Sequence, residues 1–286
     1  MSFAVWFVKV TNKIFPPVVH PFNLANDKKM TYAEWQFEKG ADTIACYRDR
    51  FYPEDMFGGK VVLDMGCGAA GKSLYYVSLG AKRVVGVDIV ERYEREACEF
   101  AERLGYADRF QFVCASATAL PFPDESFDTI IMNDFMEHVS EPENALREAM
   151  RLIRQDGHIY INFPPYYHPS GAHMSDAIHL PWAHLFLSER GLIEAYKEMV
   201  RGLPDEKERL SLRISTDDTG CERLTYINKM TLRRFRRICT ALGIKPYYYR
   251  EIPLRRYFTP LAKLPGIKEL FVKMAVVVLN KQALNE

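Results

Sequence analysis

The sequence predicts an α/β fold: a seven-stranded, mostly parallel sheet with helices on both faces, plus a mainly helical insertion after the fifth strand. Three observations lead there. From residue 60, short β-rich runs alternate with helical stretches, as parallel strands joined by crossover helices require. Glycines at 80, 105 and 243 stop successive helices. The rhythm breaks between Pro164 and about Met230 and then resumes.

In order, "KVVLDM" (60–65) is the first strand, and Ser73 to Leu79 a helix ended by Gly80. "RVVGVD" (83–88) is the second strand, and Glu91 to Leu104 a helix ended by Gly105. "RFQFVC" (109–114) and "FDTIIMN" (127–133) are strands three and four. Pro142, suited to a first helical turn, opens a helix to Ile153, and "HIYINF" (158–163) is strand five. In the insertion, one helix is capped by Ser188 and runs to Gly202. Thr231 to Leu242, "KPYYYREI" and "LFVKMAVVVLN" complete the sheet. The implied organisation is an N-terminal helical lid or substrate segment (1–57), a core (58–163), an insertion or substrate cap (164–230) and a C-terminal completion of the sheet (231–286).

At 286 residues, with 48% hydrophobic and 26% charged residues, the chain can bury a substantial core. A net charge of +1 gives no global field favouring nucleic acid. The six cysteines show no metal-ligand spacing and read as thiols of a reducing cytoplasm. No apolar run reaches transmembrane length, and the first fifteen residues lack a signal-peptide pattern. They do align Phe3, Trp6, Phe7, Val10 and Ile14 on one helical stripe, with Lys9, Asn12 and Lys13 opposite. Packing on the domain is the expected role of that stripe. A lid over a greasy substrate and peripheral membrane contact are the alternatives.

"GCGAAGKS" (66–73) fits the P-loop, the dinucleotide fingerprint and, with Asp64, a D-x-G-x-G loop. A triphosphate would face Asp64 two residues before the first glycine, which disfavours the P-loop. Asp88, 22 residues after Gly66, suits a ribose, as NAD requires, but nothing later resembles a nicotinamide site. S-adenosylmethionine (SAM) carries a cationic sulfonium, a methionine tail, a ribose and an adenine, and it accounts for both acids. Glycines allow close backbone approach, Asp64 faces positive charge, and Asp88 accepts from ribose hydroxyls.

With "VVLDMGCGAAG", "VVGVDI", "CASATALPFPDESFDTIIMNDFMEHV" and "LIRQDGHIYINF" in this order, residues 58–165 resemble class I SAM-dependent methyltransferases, especially the small-molecule group related to quinone and sterol methylating enzymes. The resemblance implies a Rossmann-like core. It implies that Asp64, Gly66, Cys67 and Gly68 line the methionine end, and that Asp88 and Ile89 hold ribose and adenine. Ser116 and Ala117 would flank the adenine, and Asn133 and His138 would lie near the methyl group. The chain departs from the family pattern at Ala70, where a third glycine is common, and at Ser116, where aspartate is common.

"NFPPYY" (162–167) resembles the signature of base-amino methylating enzymes, but it follows strand five rather than four. For a general base, His138, His173 and His168 are the candidates. "HPSGAHMSDAIH" could ligate a metal with Asp176, but no metal is expected. Residues 229–256 carry nine Lys or Arg against Glu251 alone. That patch keeps open an anionic or carrier-linked substrate, or an RNA or protein methyltransferase, although nucleic acid is disfavoured. The reading adopted is methyl transfer, with oxygen favoured, to a small apolar or aromatic acceptor; a SAM-binding protein without turnover is the alternative from another class. The oligomeric state is not readable from the sequence.

Overall fold

The computed structural model describes residues 1–21, 23 and 30–281. In chain order the helices are α1 (Phe3–Ile14), α2 (Tyr32–Glu38), α3 (Gly40–Ile44), α4 (Pro53–Phe57), α5 (Gly71–Ser78), α6 (Arg92–Arg103), α7 (Pro142–Leu152), α8 (Ala183–Phe186), α9 (Glu189–Val200), α10 (Glu206–Arg213) and α11 (Leu232–Ala241). The strands are β1 (Val61–Met65), β2 (Arg83–Asp88), β3 (Phe110–Cys114), β4 (Phe127–Asn133), β5 (Ile153–Phe163), β6 (Ile214–Thr216), β7 (Glu222–Leu224), β8 (Tyr248–Pro253) and β9 (Val272–Asn280).

The chain forms two compact units. The sheet unit comprises 30–163, 232–252 and 274 onward, and the second unit comprises 1–29, 164–231 and 253–273. Of the expected N-terminal segment 1–57, residues 30–57 therefore go with the sheet. Of the expected C-terminal segment, 253–273 goes with the insertion.

In the sheet unit the strand order is β3-β2-β1-β4-β5-β9-β8. Strands β1 to β5 are parallel, and β9 runs antiparallel to β5, with Ile161 opposite Val277. The central strands are apolar on both faces because helices cover both, as "VVLDM" and "TIIM" require. At the carboxyl ends of β1, β2 and β4 stand Asp64, Asp88 and Asn133. An open parallel sheet binds its ligands at such a row of strand ends.

The second unit has its own core, in which Ala4 and Val8 of α1 join Leu192, Ala195, Tyr196 and Val200 of α9. Ser188 caps α9 as the sequence predicts, accepting from the Gly191 N–H. The sequence did not reveal α10 or the β6/β7 hairpin in this insertion. A buried ion cluster anchors α10: Arg209 Nη1 and the Tyr196 hydroxyl donate to Asp176 Oδ2 at 2.9 and 2.8 Å, and Arg213 Nη2 donates to Oδ1 at 3.1 Å. Buried charges persist only when paired in this way. The Asp176 carboxylate, one candidate metal ligand in the sequence, is occupied by these partners.

Candidate functional site

The loop after β1 is fixed by its backbone. Gly66 and Gly68 have φ of +79° and +57°, and Ala70 at +59° begins α5 from the left-handed region. A Cβ on Gly66 would lie 2.4 Å from the Phe135 ring, and one on Gly68 would lie 2.8 Å from Gln36 Nε2. The third glycine of the family pattern is thus replaced by an alanine that adopts the strained conformation itself.

Gln36 of α2 clasps this loop from outside the motif. Its Nε2 donates to the Cys67 carbonyl, and its Oε1 accepts from the Gly71 N–H, each at 3.2 Å. Sequence reasoning missed both Gln36 and its neighbour Tyr32, whose ring would lie 3.3 Å from a Gly68 Cβ. A signal was available. "TYAE" (31–34) is a capping box in which Thr31 and Glu34 exchange side-chain bonds with each other's backbone N–H.

Asp64 is buried, and its Oδ2 accepts from the Ser73 hydroxyl at 2.6 Å. Burial pushes its carboxyl up to about 6, against the lowering effect of Ser73 and of Lys72. Lys72 Nζ lies 2.9 Å from Asp134 Oδ2, at the end of β4. The two residues that completed the P-loop pattern are therefore committed to holding carboxylates of this sheet edge.

Asp88 accepts from the Gly68 N–H at 2.9 Å with Oδ2 and from the Val90 N–H at 3.0 Å with Oδ1. Burial raises its carboxyl while these amide bonds oppose the rise. Each oxygen retains lone-pair capacity for a further donor such as a ribose hydroxyl. Ile89 beside it is exposed. Ser116 Oγ and Thr118 Oγ1 are 2.8 Å apart on an exposed turn, with Ala117 buried between them.

Cys67 is buried, with Sγ against the position a Gly86 Cβ would take, so its side chain faces the core and its backbone shapes the loop. Asn133 sits in a buried network. Its Oδ1 accepts from the Tyr47 hydroxyl at 2.6 Å and from Asn162 Nδ2 at 2.7 Å, while its Nδ2 donates to the Tyr76 hydroxyl at 3.4 Å. Asn162, the first residue of "NFPPYY", is thus tied into the same network. Glu137 follows on the β4 exit, buried, with its carboxyl held well above the usual range by burial and by Asp134.

His138 lies in the sheet unit, half-buried, with Nε2 3.8 Å from Glu137 Oε1. His168 and His173 belong to the second unit. His168 Nδ1 accepts from the Ser170 N–H at 3.2 Å, and burial, with Lys273 and His184, lowers the ring to about 4. His173 has a φ of +51°, its carbonyl accepts from Arg213 Nε, and its ring meets Tyr226 edge-on. In the basic patch, Arg236 pairs with Glu251, Arg250 with Asp49 and Lys229 with Glu189. That patch offers less uncompensated charge than its sequence suggests.

A family model described as a methyltransferase domain matches residues 63–161. Residues 63–161 form a class I SAM-dependent methyltransferase domain. The domain is 36% identical over 96 residues to the uncharacterized methyltransferase YcgJ of Bacillus subtilis, covering 34% of this chain and 37% of that protein. The chain is 28% identical over 177 residues to the ubiquinone/menaquinone biosynthesis C-methyltransferase UbiE of Cronobacter sakazakii, covering 59% of this chain and 69% of that one. The chain thus spans little more than a third of the first relative's length. The fold is shared with the PH0226 protein of Pyrococcus horikoshii OT3, at 19% identity and a TM-score of 0.53, over 85% of this chain and 90% of that one. The methyltransferase domain contains the glycine loop and both strand-end acids.

Proposed function

We propose that this chain transfers a methyl group from SAM to a small apolar or ring-bearing acceptor. The observation that carries the proposal is the pair of acids at adjacent strand ends: a buried Asp64, and an Asp88 bonded directly to the glycine loop at 2.9 Å. When bound, SAM supplies an electrophilic methyl group on a cationic sulfur. Asp64 would face the positive charge of that cofactor, and Asp88 would accept from its ribose. Gly66 and Gly68 keep side chains out of the cradle, with Cys67 contributing backbone, Ile89 and Ala117 apolar surface, and Ser116 a hydroxyl beside the adenine. Asn133 would act through its network, holding the end of β4 in place.

The residues that recognise the acceptor are proposed to come from 164–230. That segment carries Tyr166, Tyr167, Trp182 and Phe186, aromatic side chains that suit an apolar or ring-bearing acceptor. Oxygen is the proposed methylated atom, because a hydroxyl acceptor must lose a proton and His138, His173 and His168 supply candidate bases. Carbon is the second reading, favoured by the printed name of the UbiE relative.

The deciding experiment incubates the protein with methyl-labelled SAM and cell extract, followed by NMR of the labelled product. A methoxyl product supports the first reading, and a methyl on ring carbon supports the second. SAM binding with no transfer to any extract would remove the enzymatic proposal. Tight Mg-ATP binding lost in Lys72→Ala would remove the cofactor assignment.

A further inference from the structure

Helix α1 has two apolar faces, and the fold uses the smaller one. Ala4, Val5, Val8 and Thr11 are buried, and Gly191 of α9 lies close enough that a Cβ there would be 3.1 Å from that of Ala4. Asn12 on the same side donates to the Ala177 carbonyl at 2.7 Å. Of the large stripe expected from sequence to do this packing, Phe7 is half-buried against the unit's core, whereas Phe3, Trp6, Val10 and Ile14 point away and are 69, 48, 38 and 70% exposed. At 3.6 residues per turn these four share about 80° of arc. Beyond the helix, Val18 and Val19 are exposed as well.

The charge on this segment has one sign. Residues 1–20 contain Lys9 and Lys13 and no Asp or Glu, and both lysines are exposed, Lys9 in an ion pair with Glu198 of α9. The same unit contains a second segment of this composition. Residues 253–273 hold Arg255, Arg256, Lys263, Lys268 and Lys273 against Glu269 alone. Tyr257, Leu264 and Ile267 are exposed among them. An aromatic and aliphatic stripe flanked by lysine is the composition of a helix lying in a membrane interface, where the apolar groups enter the acyl boundary and the cations meet anionic headgroups. A protein partner would be recognised as well by shape, but it would not call for two segments of predominantly basic composition around exposed apolar side chains.

We propose that the exposed stripe of α1, together with the basic segment 255–268, seats this unit on an anionic lipid surface. The partner is the headgroup layer of a bilayer, entered to the depth of Phe3 and Trp6. No helix among the described residues is long and apolar enough to cross a membrane, so the contact is peripheral. This inference stands independently of the acceptor's identity.

The test is co-sedimentation of the full chain with vesicles of phosphatidylcholine alone, or with about a third phosphatidylglycerol. Binding to the anionic vesicles should be at least about tenfold tighter and should weaken in high salt. Brominated lipid should quench Trp6, and the quenching should be lost in Trp6→Ser. The double variant Phe3→Ser/Trp6→Ser should lose vesicle binding at least about tenfold while its melting temperature and SAM affinity stay unchanged. Arg256→Glu/Lys263→Glu should remove the preference for phosphatidylglycerol. No binding by the native chain, or equal binding by the stripe variant, overturns the proposal. A dimer seen in sedimentation that the stripe variant abolishes, with no vesicle binding, would assign the stripe to a second copy and overturn it too.

Discussion

The Gly68 N–H donates to the Asp88 carboxylate at 2.9 Å, so the glycine loop and the acid at the end of β2 form one hydrogen-bonded piece. Asp88→Ala should therefore do two things at once: remove the ribose acceptor and release the loop. The expected loss is about 1.5–3 kcal/mol in SAM affinity, as for hydrogen bonds to a charged group. Calorimetry with SAM and its demethylated product measures it. An affinity within about twofold of the native value would contradict this assignment.

Asp64 gives a pH dependence whose sign can be worked out. Its folded-state carboxyl sits at about 6, above the ordinary 3.8. A cationic ligand favours the ionised form, so SAM affinity should rise with pH through about 6 and level off above it. At pH 5 the affinity should be about tenfold weaker than the plateau, with proton release on binding detectable in buffers of different ionisation enthalpy. Asp64→Asn should flatten the profile. For the ligand-free fold the sign reverses: the native state binds the extra proton, so this group's contribution to stability falls as pH rises from about 4 to about 6.

Gln36→Ala should behave as a site variant although it lies outside every motif. It would leave the Cys67 carbonyl and the Gly71 N–H without their buried partner. The expected cost is about 1–3 kcal/mol of stability, with a weaker SAM affinity. Thermal unfolding with and without SAM separates the two effects. A variant that melts and binds like the native protein would show that the clasp is dispensable.

One of His138→Ala, His173→Ala and His168→Ala should lower kcat at least about 100-fold while SAM affinity is kept, the expected order being His138, His173, His168. His168 comes last because burial holds its ring near 4, which makes it a weak base at neutral pH. Single-turnover rates with the acceptor identified from extract make the comparison. Near-native rates in all three would mean that transfer proceeds by positioning alone or through another base.

The parallel sheet was legible because its central strands are buried on both faces. "FDTIIMN" is β4 residue for residue, its apolar "IIM" preceded by Phe127 and Thr129, residues that favour a strand. The strand-end acids and glycines were legible because their spacing is local. What escaped had no local period. Helix α10 reads "EKERLSLR", and the side chains it buries are Arg209 and Arg213, whose burial makes sense only beside Asp176, 33 residues from Arg209. Gln36 is a lone amide whose partners lie 31 and 35 residues on. In α1 the stripe is legible from its helical period, but the face packed against α9 depends on small residues such as Ala4 and Gly191, which carry no such signal.

The second unit is stitched from three separated stretches of chain, and this imposes an order of assembly. Lys9 on α1 pairs with Glu198 on α9, 189 residues later. At ribosomal rates of about 5–20 residues per second, α1 waits about 10–40 s for the helix that covers its small face. During that interval the small face is bare as well as the large one. The nascent chain therefore presents a sticky, positively charged helix well before its methyltransferase domain is complete.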